Sequence, residues 1–343
     1  MKNKPRFFSV FFFPIGEREG KRCMSEDKKQ EQLYFVFDVS GRKIHEFTGD
    51  HVIVHRNSID AYQEKLKREE ERELDQRGDY IQFVLEPNKA LKDLTIHQRR
   101  YLMELMPYVQ YGDNPLRMVD ENGEIHRITN KHLSDIWSIH SVDVTKLMNK
   151  FVEKGFFKKI KDPDDSRKAN YISTGLYFGK GNLYQPSQYT TKLFQNKLKE
   201  VIQEIKKIEK RKSRRKNTDR KQTAALGMIH AVLPFFHYQT YYLVKNPNEN
   251  ICRGDESVLE ALQRNPKALK HISKAELCRL SNVTDNRTID YYFKVLMEAG
   301  AIMLQHTKGK TRYKIHPDLM FRRDGNGIDP YTEFVREEFR QHD

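Results

Sequence analysis

An α+β fold built from one unit used twice is what this sequence predicts, and three matched pairs of segments carry the prediction. Leu105-Met106-Pro107-Tyr108-Val109-Gln110-Tyr111 is echoed by Val232-Leu233-Pro234-Phe235-Phe236-His237-Tyr238. Ile128-Thr129-Asn130-Lys131-His132-Leu133 is echoed by Ile272-Ser273-Lys274-Ala275-Glu276-Leu277. Phe151-Val152-Glu153-Lys154-Gly155-Phe156 is echoed by Leu296-Met297-Glu298-Ala299-Gly300-Ala301. Similar segments recurring in the same order are the signature of a repeated structural unit.

In the first copy a helix runs from Thr95 to about Val109, with Ile96, Leu102, Met103, Leu105 and Met106 as its apolar face. Arg117-Met118-Val119 and Glu124 to Ile128 make a hairpin about an Asn122-Gly123 turn. Thr129 caps a helix that runs through Ile136. Ser141 opens another, with Val144, Leu147, Met148, Phe151 and Val152 at helical spacing and Gly155 at the stop. Strands Phe156–Ile160 and Asn170–Ser173 follow, joined by a polar turn that carries Arg167 and Lys168.

The second copy repeats the plan. Thr223 to Tyr242 is its first helix, followed by a polar insertion from Asn246 to Asn250. Ser273 caps a helix ending near Leu280, and Thr284 or Asp285 caps the next, which buries Ile289, Tyr292, Phe293, Leu296 and Met297 and stops at Gly300. Ile302–His306 and Thr311–Ile315 form the closing hairpin, turned by Thr307 to Lys310. Helices followed by a two-stranded hairpin are the order of a winged helix-turn-helix, so the chain reads as two such domains in tandem.

What flanks the copies is less patterned. Residues 33–56 alternate as a small antiparallel β-meander, 58–77 read as a charged helix with few apolar positions, and Tyr80 to Leu85 as a further strand. Between the copies, Leu193, Leu198, Val201, Ile202, Ile205 and Ile208 recur at helical spacing before the basic run 210–221. The expected divisions are 1–23 as an upstream extension, 24–90 as meander plus charged helix, and 91–190 as the first winged-helix domain. They continue with 191–222 as a long basic helix and linker, 223–320 as the second winged-helix domain, and 321–343 as a C-terminal tail helix. The first division rests on the change to ordinary polar sequence at Met24-Ser25-Glu26-Asp27, which makes Met24 the expected start. The intact mass of the native protein checks it.

Composition narrows the partner. Sixty-two Lys and Arg against 48 Asp and Glu leave a formal charge of +14, the balance of a chain that meets a polyanion. Twenty Phe and 17 Tyr supply material for ordinary cores. Three cysteines, Cys23, Cys252 and Cys278, have no metal-ligand or disulfide-framework spacing. No apolar run approaches the roughly 20 residues of a membrane span. The expectation is a cytoplasmic protein, associated with nucleoid or plasmid, with no membrane contact and no cofactor.

A recognition helix enters the major groove with its N-terminal side chains at the base edges. In the first copy those positions are Ser141, Asp143, Thr145, Lys146 and Asn149; in the second, Asn286, Arg287, Thr288, Asp290 and Lys294. Arg287 suits guanine, and Asn149 or Asn286 adenine. Arg167, Lys168, Lys308, Lys310 and Arg312 in the hairpins suit phosphate or the minor groove. Arg211, Arg214 and Arg215 of the basic run either grip the backbone between the copies or lie on a solvated linker.

Catalysis finds little footing. His51 and His55 share a strand face without a third ligand, so no metal site is expected, and His97-Gln98-Arg99-Arg100 holds the short HxxR pattern of tyrosine recombinases. No phosphate-cradling GxxxxGK[ST] loop occurs. The expectation is a protein that is not an enzyme.

Residues 133–173 resemble the winged-helix core of MarR-type regulators, through Asp165-Ser166-Arg167 and the strand ending Tyr171-Ile172-Ser173. Those regulators are single-unit dimers, whereas this chain holds two units. The tandem plan over residues 90–320, with the meander and the spacing around Leu94-Thr95-Ile96, resembles replication initiators of theta-replicating low-copy plasmids of Bacillus-type bacteria. The resemblance implies binding of double-stranded DNA at direct repeats of an origin, with host replication proteins and a second copy of the chain as partners. A transcriptional repressor of a mobile element, bound at an operator, is the second expectation. A tyrosine-recombinase-like enzyme using Arg100 is the third.

Overall fold

In the computed structural model, which describes residues 33–37, 43–48, 77–84, 93–111, 115–119, 122–161, 169–181, 190–216, 223–307, 310–322 and 327–341, the chain divides into two units, Met1–Leu74 and Asp75–Asp343. In the smaller unit, β1 (Leu33–Phe37) pairs antiparallel with β2 (Lys43–Thr48), from Leu33↔Thr48 to Phe37↔Lys43. The third meander strand at 51–55 and the charged helix of 58–76 lie outside the described residues, as does the extension 1–23.

The larger unit is mixed α and β. After β3 (Tyr80–Val84), helix α1 (Ile96–Leu105) starts at a capping box in which Thr95 accepts from Gln98 N–H and Gln98 answers the Thr95 N–H. It is shorter than the run to Val109 that the sequence suggests. Pro107 has no N–H to give and crowds the preceding turn, so Met106–Tyr108 tighten into a 3₁₀ turn. The same happens in the second copy: α5 (Ala225–Val232) yields at Pro234 to a 3₁₀ turn, Leu233–Phe235, not a helix to Tyr242. The residues beyond turn back through Tyr238 to Thr240, bridging Phe236 to Leu243 and Tyr242 to Lys314.

Between these points each copy follows one course. In the first, β4 (Arg117–Val119) and β5 (Ile125–Arg127) precede α2 (Asn130–Trp137), α3 (Ser141–Glu153), β6 (Phe157–Lys161) and β7 (Ala169–Ser173). Strand β8 (Phe178–Gly179), strand β9 (Thr190–Phe194) and the 22-residue helix α4 (Gln195–Lys216) then lead to α5. In the second copy α6 (Val258–Arg264) stands where the first has its small hairpin, followed by α7 (Lys274–Ser281), α8 (Asn286–Glu298), β10 (Ile302–Thr307) and β11 (Lys310–Ile315). Strand β12 (Met320–Phe321) and α9 (Pro330–Arg340) close the unit.

The likeness extends to single backbone bonds. Leu116 N–H donates to Tyr171 O and Ile128 N–H to Leu116 O; Leu243 N–H donates to Tyr313 O and Ile272 N–H to Leu243 O. Phe156 N–H closes α3 on Phe151 O as Ala301 N–H closes α8 on Leu296 O, and Gly155 and Gly300 both take positive φ (78° and 64°) at those stops. Each shorter helix ends on a left-handed residue, Ser138 or Asn282.

The two copies share one core. α1 packs on α5, and Arg99 of α1 donates to Leu280 O at the end of α7. Lys206 of α4 does the same for Ile136 O at the end of α2. A four-stranded sheet in the order β12-β9-β3-β8 ties together chain from before the first copy, between the copies and after the second. Strand β9 opens a stretch that the sequence suggests is helix throughout. Thr191, Leu193 and Phe194 are buried there, Lys192 is half-buried, and pairing with β3 overrides the helical spacing further on. The C-terminal helix is docked by Tyr331, Val335 and Phe339 and is no free tail.

Candidate nucleic-acid interface

Helices α3 and α8 are each 13 residues long and bury one face. Val144, Leu147, Met148 and Phe151 anchor α3; Ile289, Tyr292, Phe293, Val295 and Leu296 anchor α8. Each such side chain stabilises its helix by about 1.5–3 kcal/mol on burial, which holds the opposite face in a set direction. On α3 that outward face carries Ser141, Val142, Asp143, Thr145, Lys146 and Asn149, all exposed; on α8 it carries Asn286, Arg287, Asp290, Tyr291 and Lys294.

Several of these groups already have work inside the fold. Thr145 donates to Ser141 O (3.1 Å) and receives from Asn130 Nδ2 (3.3 Å), so its hydroxyl braces α3 against α2. Thr288 is half-buried and donates to Asp285, the cap of α8. Asp290 pairs with Lys274 at 2.6 Å, Asp143 lies 3.9 Å from Lys146, and Asn286 accepts from the Cys278 thiol. Asn149, Arg287 and Lys294 have no such bond among the described residues.

The two helices differ at their N-termini. Asp285 accepts from the N–H groups of Arg287 and Thr288, and those bonds hold its carboxyl below the ordinary range. At α3 the capping position is His140, which supplies no side-chain acceptor. Asp143 N–H donates to His140 O, and the Ser141 and Val142 amides of α3 lack the side-chain cap that Asp285 gives α8.

The hairpins also differ. Arg167, Lys168 and Lys308 lie outside the described residues. Lys310 lies on β11, and Arg312 is half-buried there. Lys314, two residues on, gives its ammonium to Glu338 of α9. By contrast β6 presents Lys158, Lys159 and Lys161, all exposed, which the sequence reading placed on or beside a hairpin strand without singling them out.

Along α4, Leu198, Val201, Ile205 and Ile208 face inward, and Arg211 is exposed. The described part of the basic run, which includes Arg214 and Arg215, continues the helix to Lys216; residues 217–221 lie outside the described residues. Lys212 reaches α8, 3.6 Å from Glu298 and 4.9 Å from the Tyr291 ring centre. Helix α6 was legible in principle, since Ser257 and Glu260 form a capping box.

Arg100, of the HxxR pattern, is 2 % exposed and gives Nε and Nη2 to Glu104 Oε1 at 3.1 and 3.0 Å. A guanidinium held there has no access to a phosphodiester. Among the described residues no three His, Cys, Asp or Glu side chains gather as for a metal ion, and no helix is long and apolar enough to cross a membrane. His51 and His55 lie outside the described residues. No protein-family model, no curated protein and no solved structure matches this chain.

Proposed function

We propose that each copy is a winged helix-turn-helix and that the chain binds double-stranded DNA through both, with α3 and α8 as the reading helices. The observation that carries this is the bond-for-bond repetition of two helices, a left-handed link, a glycine stop and a hairpin on a chain of charge +14. A helix whose exposed face holds Lys146 and Asn149, or Arg287 and Lys294, has the donors that base edges and phosphates accept. The protein acts by binding, not by catalysis.

Two reading units joined in one body suit DNA that carries a site more than once. On that ground we read the protein as a replication initiator of a plasmid or phage, acting in the cytoplasm on origin repeats. Host replication proteins and a second copy of the chain would be its partners. Footprinting of the purified full chain across its own gene and flanking DNA tests this. Several evenly spaced protected direct repeats support initiation; one symmetric site over a promoter replaces it with a repressor. No protection at low salt overturns DNA binding altogether.

A further inference from the structure

Alignment of the copies through their shared backbone bonds sets β6 against β10 residue by residue: Phe157 with Ile302, Lys158 with Met303, Lys159 with Leu304, Ile160 with Gln305 and Lys161 with His306. The backbone plan is the same and the surface is not. In the second copy α9 lies over this hairpin: Met303 is 3 % exposed, and Glu338 receives hydrogen bonds from Gln305 (3.0 Å) and Lys314. A carboxylate of the chain itself thus takes up the charge of Lys314, which is 2 % exposed. In the first copy Lys158, Lys159, Ile160 and Lys161 are all exposed, and among the described residues none of the three lysines has an ion-pair partner. Their neighbours across the strand pair, Ala169 to Ile172, carry no charge either.

We propose that β6 is a phosphate-gripping edge for duplex DNA, formed by Lys158, Lys159 and Lys161, whose matched positions on β10 are Met303, Leu304 and His306. The inference rests on the DNA-binding reading above. Successive strand residues point to opposite faces, so Lys158 projects from one side of the hairpin and Lys159 and Lys161 from the other. A hairpin charged on both faces can enter a groove and meet the phosphate backbones on its two walls, with exposed Ile160 against the sugars between them. The first copy then supplies a sequence-independent grip through β6 beside the outward face of α3.

Counterion release makes this measurable, because each phosphate neutralised adds about 0.9 to the slope of log affinity against log salt. The experiment compares the full chain with Lys158→Gln/Lys159→Gln/Lys161→Gln on a random-sequence duplex across a potassium chloride series. A charge-matched control, Lys199→Gln/Lys267→Gln/Lys270→Gln, alters three exposed lysines elsewhere. The β6 variant is expected to lower the slope by about 2 to 3 and to weaken binding about tenfold or more near 100 mM salt, with the control close to wild type and both melting as wild type does. Wild-type binding that the β6 variant retains at full strength and slope overturns the inference alone, as does an equal loss in the control. Absence of duplex binding by the wild-type chain overturns the DNA-binding reading, and the inference with it.

Discussion

Gly227 of α5 lies so close to the Ile96 carbonyl of α1 that a Cβ at residue 227 would stand 2.2 Å from that oxygen. The two helices begin the two copies, so this contact is where one copy meets the other. Backbone, not a pliant side chain, blocks the added atom, and the helices must move apart to admit it.

Gly227→Ala is therefore expected to destabilise the larger unit, although alanine is the better helix former in isolation. Overpacking of this kind costs about 1–3 kcal/mol. A denaturant titration reads it as a lower midpoint; a midpoint at or above wild type would mean that the helices are not held at this distance.

Lys314 and Glu338 give a second case. The lysine is 2 % exposed and its ammonium rests on the carboxylate of α9. Glu338→Ala leaves a buried charge without its partner, a loss of about 3–5 kcal/mol. The double change Lys314→Met/Glu338→Leu removes both charges and should recover most of that. Equal melting temperatures for the single and double variants would count against the pairing.

Acid should weaken the fold through three histidines, His230 and His237 buried and His316 partly so. Burial holds His230 down at about 3, with the positive charge of Arg99 adding to it; burial likewise holds His237 and His316 at about 4. The unfolded chain takes up these protons near pH 6.5 and the folded chain does not. Stability is thus whole above about pH 6.5 and declines as pH falls toward about 4, by roughly 1.4 kcal/mol per pH unit for each histidine. Neither ring nitrogen of His230 has a hydrogen-bond partner among the described residues. His230→Phe should flatten the pH dependence of the melting temperature by about a third. An unchanged profile would show that this ring is protonated in the folded state.

On the proposal that α3 and α8 read DNA, Lys146→Ala with Arg287→Ala should abolish specific binding to a site found by footprinting. Both side chains are exposed, so unfolding free energy should stay within about 0.5 kcal/mol of wild type. Unchanged affinity for that site would remove α3 and α8 from the role of readers.

Much of each copy was legible because it is written locally. Thr129 and Ser273 cap the helices that follow them through bonds spanning three residues, and Gly155 and Gly300 stop theirs with a positive φ. The first helices end sooner than their spacing suggests because Pro107 and Pro234 break them. The site was half legible. The outward faces of α3 and α8 follow from helical spacing, but Thr145 and Asp290 turned out to be occupied by Asn130 and Lys274, neighbours that spacing cannot supply. Lys158, Lys159 and Lys161 are marked out by their exposure on β6, and exposure is not a property of a segment alone.

The sequence by itself determined that one unit recurs, where α2, α3, α7 and α8 begin and end to within a residue or two, and that the chain carries a large positive charge. Those features depend on residues a few positions apart or on composition. Only the tertiary structure decided that α1 and α5 meet at a glycine, that β3, β8, β9 and β12 join in one sheet, and that α9 lies over one hairpin and leaves the other open. Each of these pairs groups far apart along the chain, and their contact energies arise only when folding brings them together.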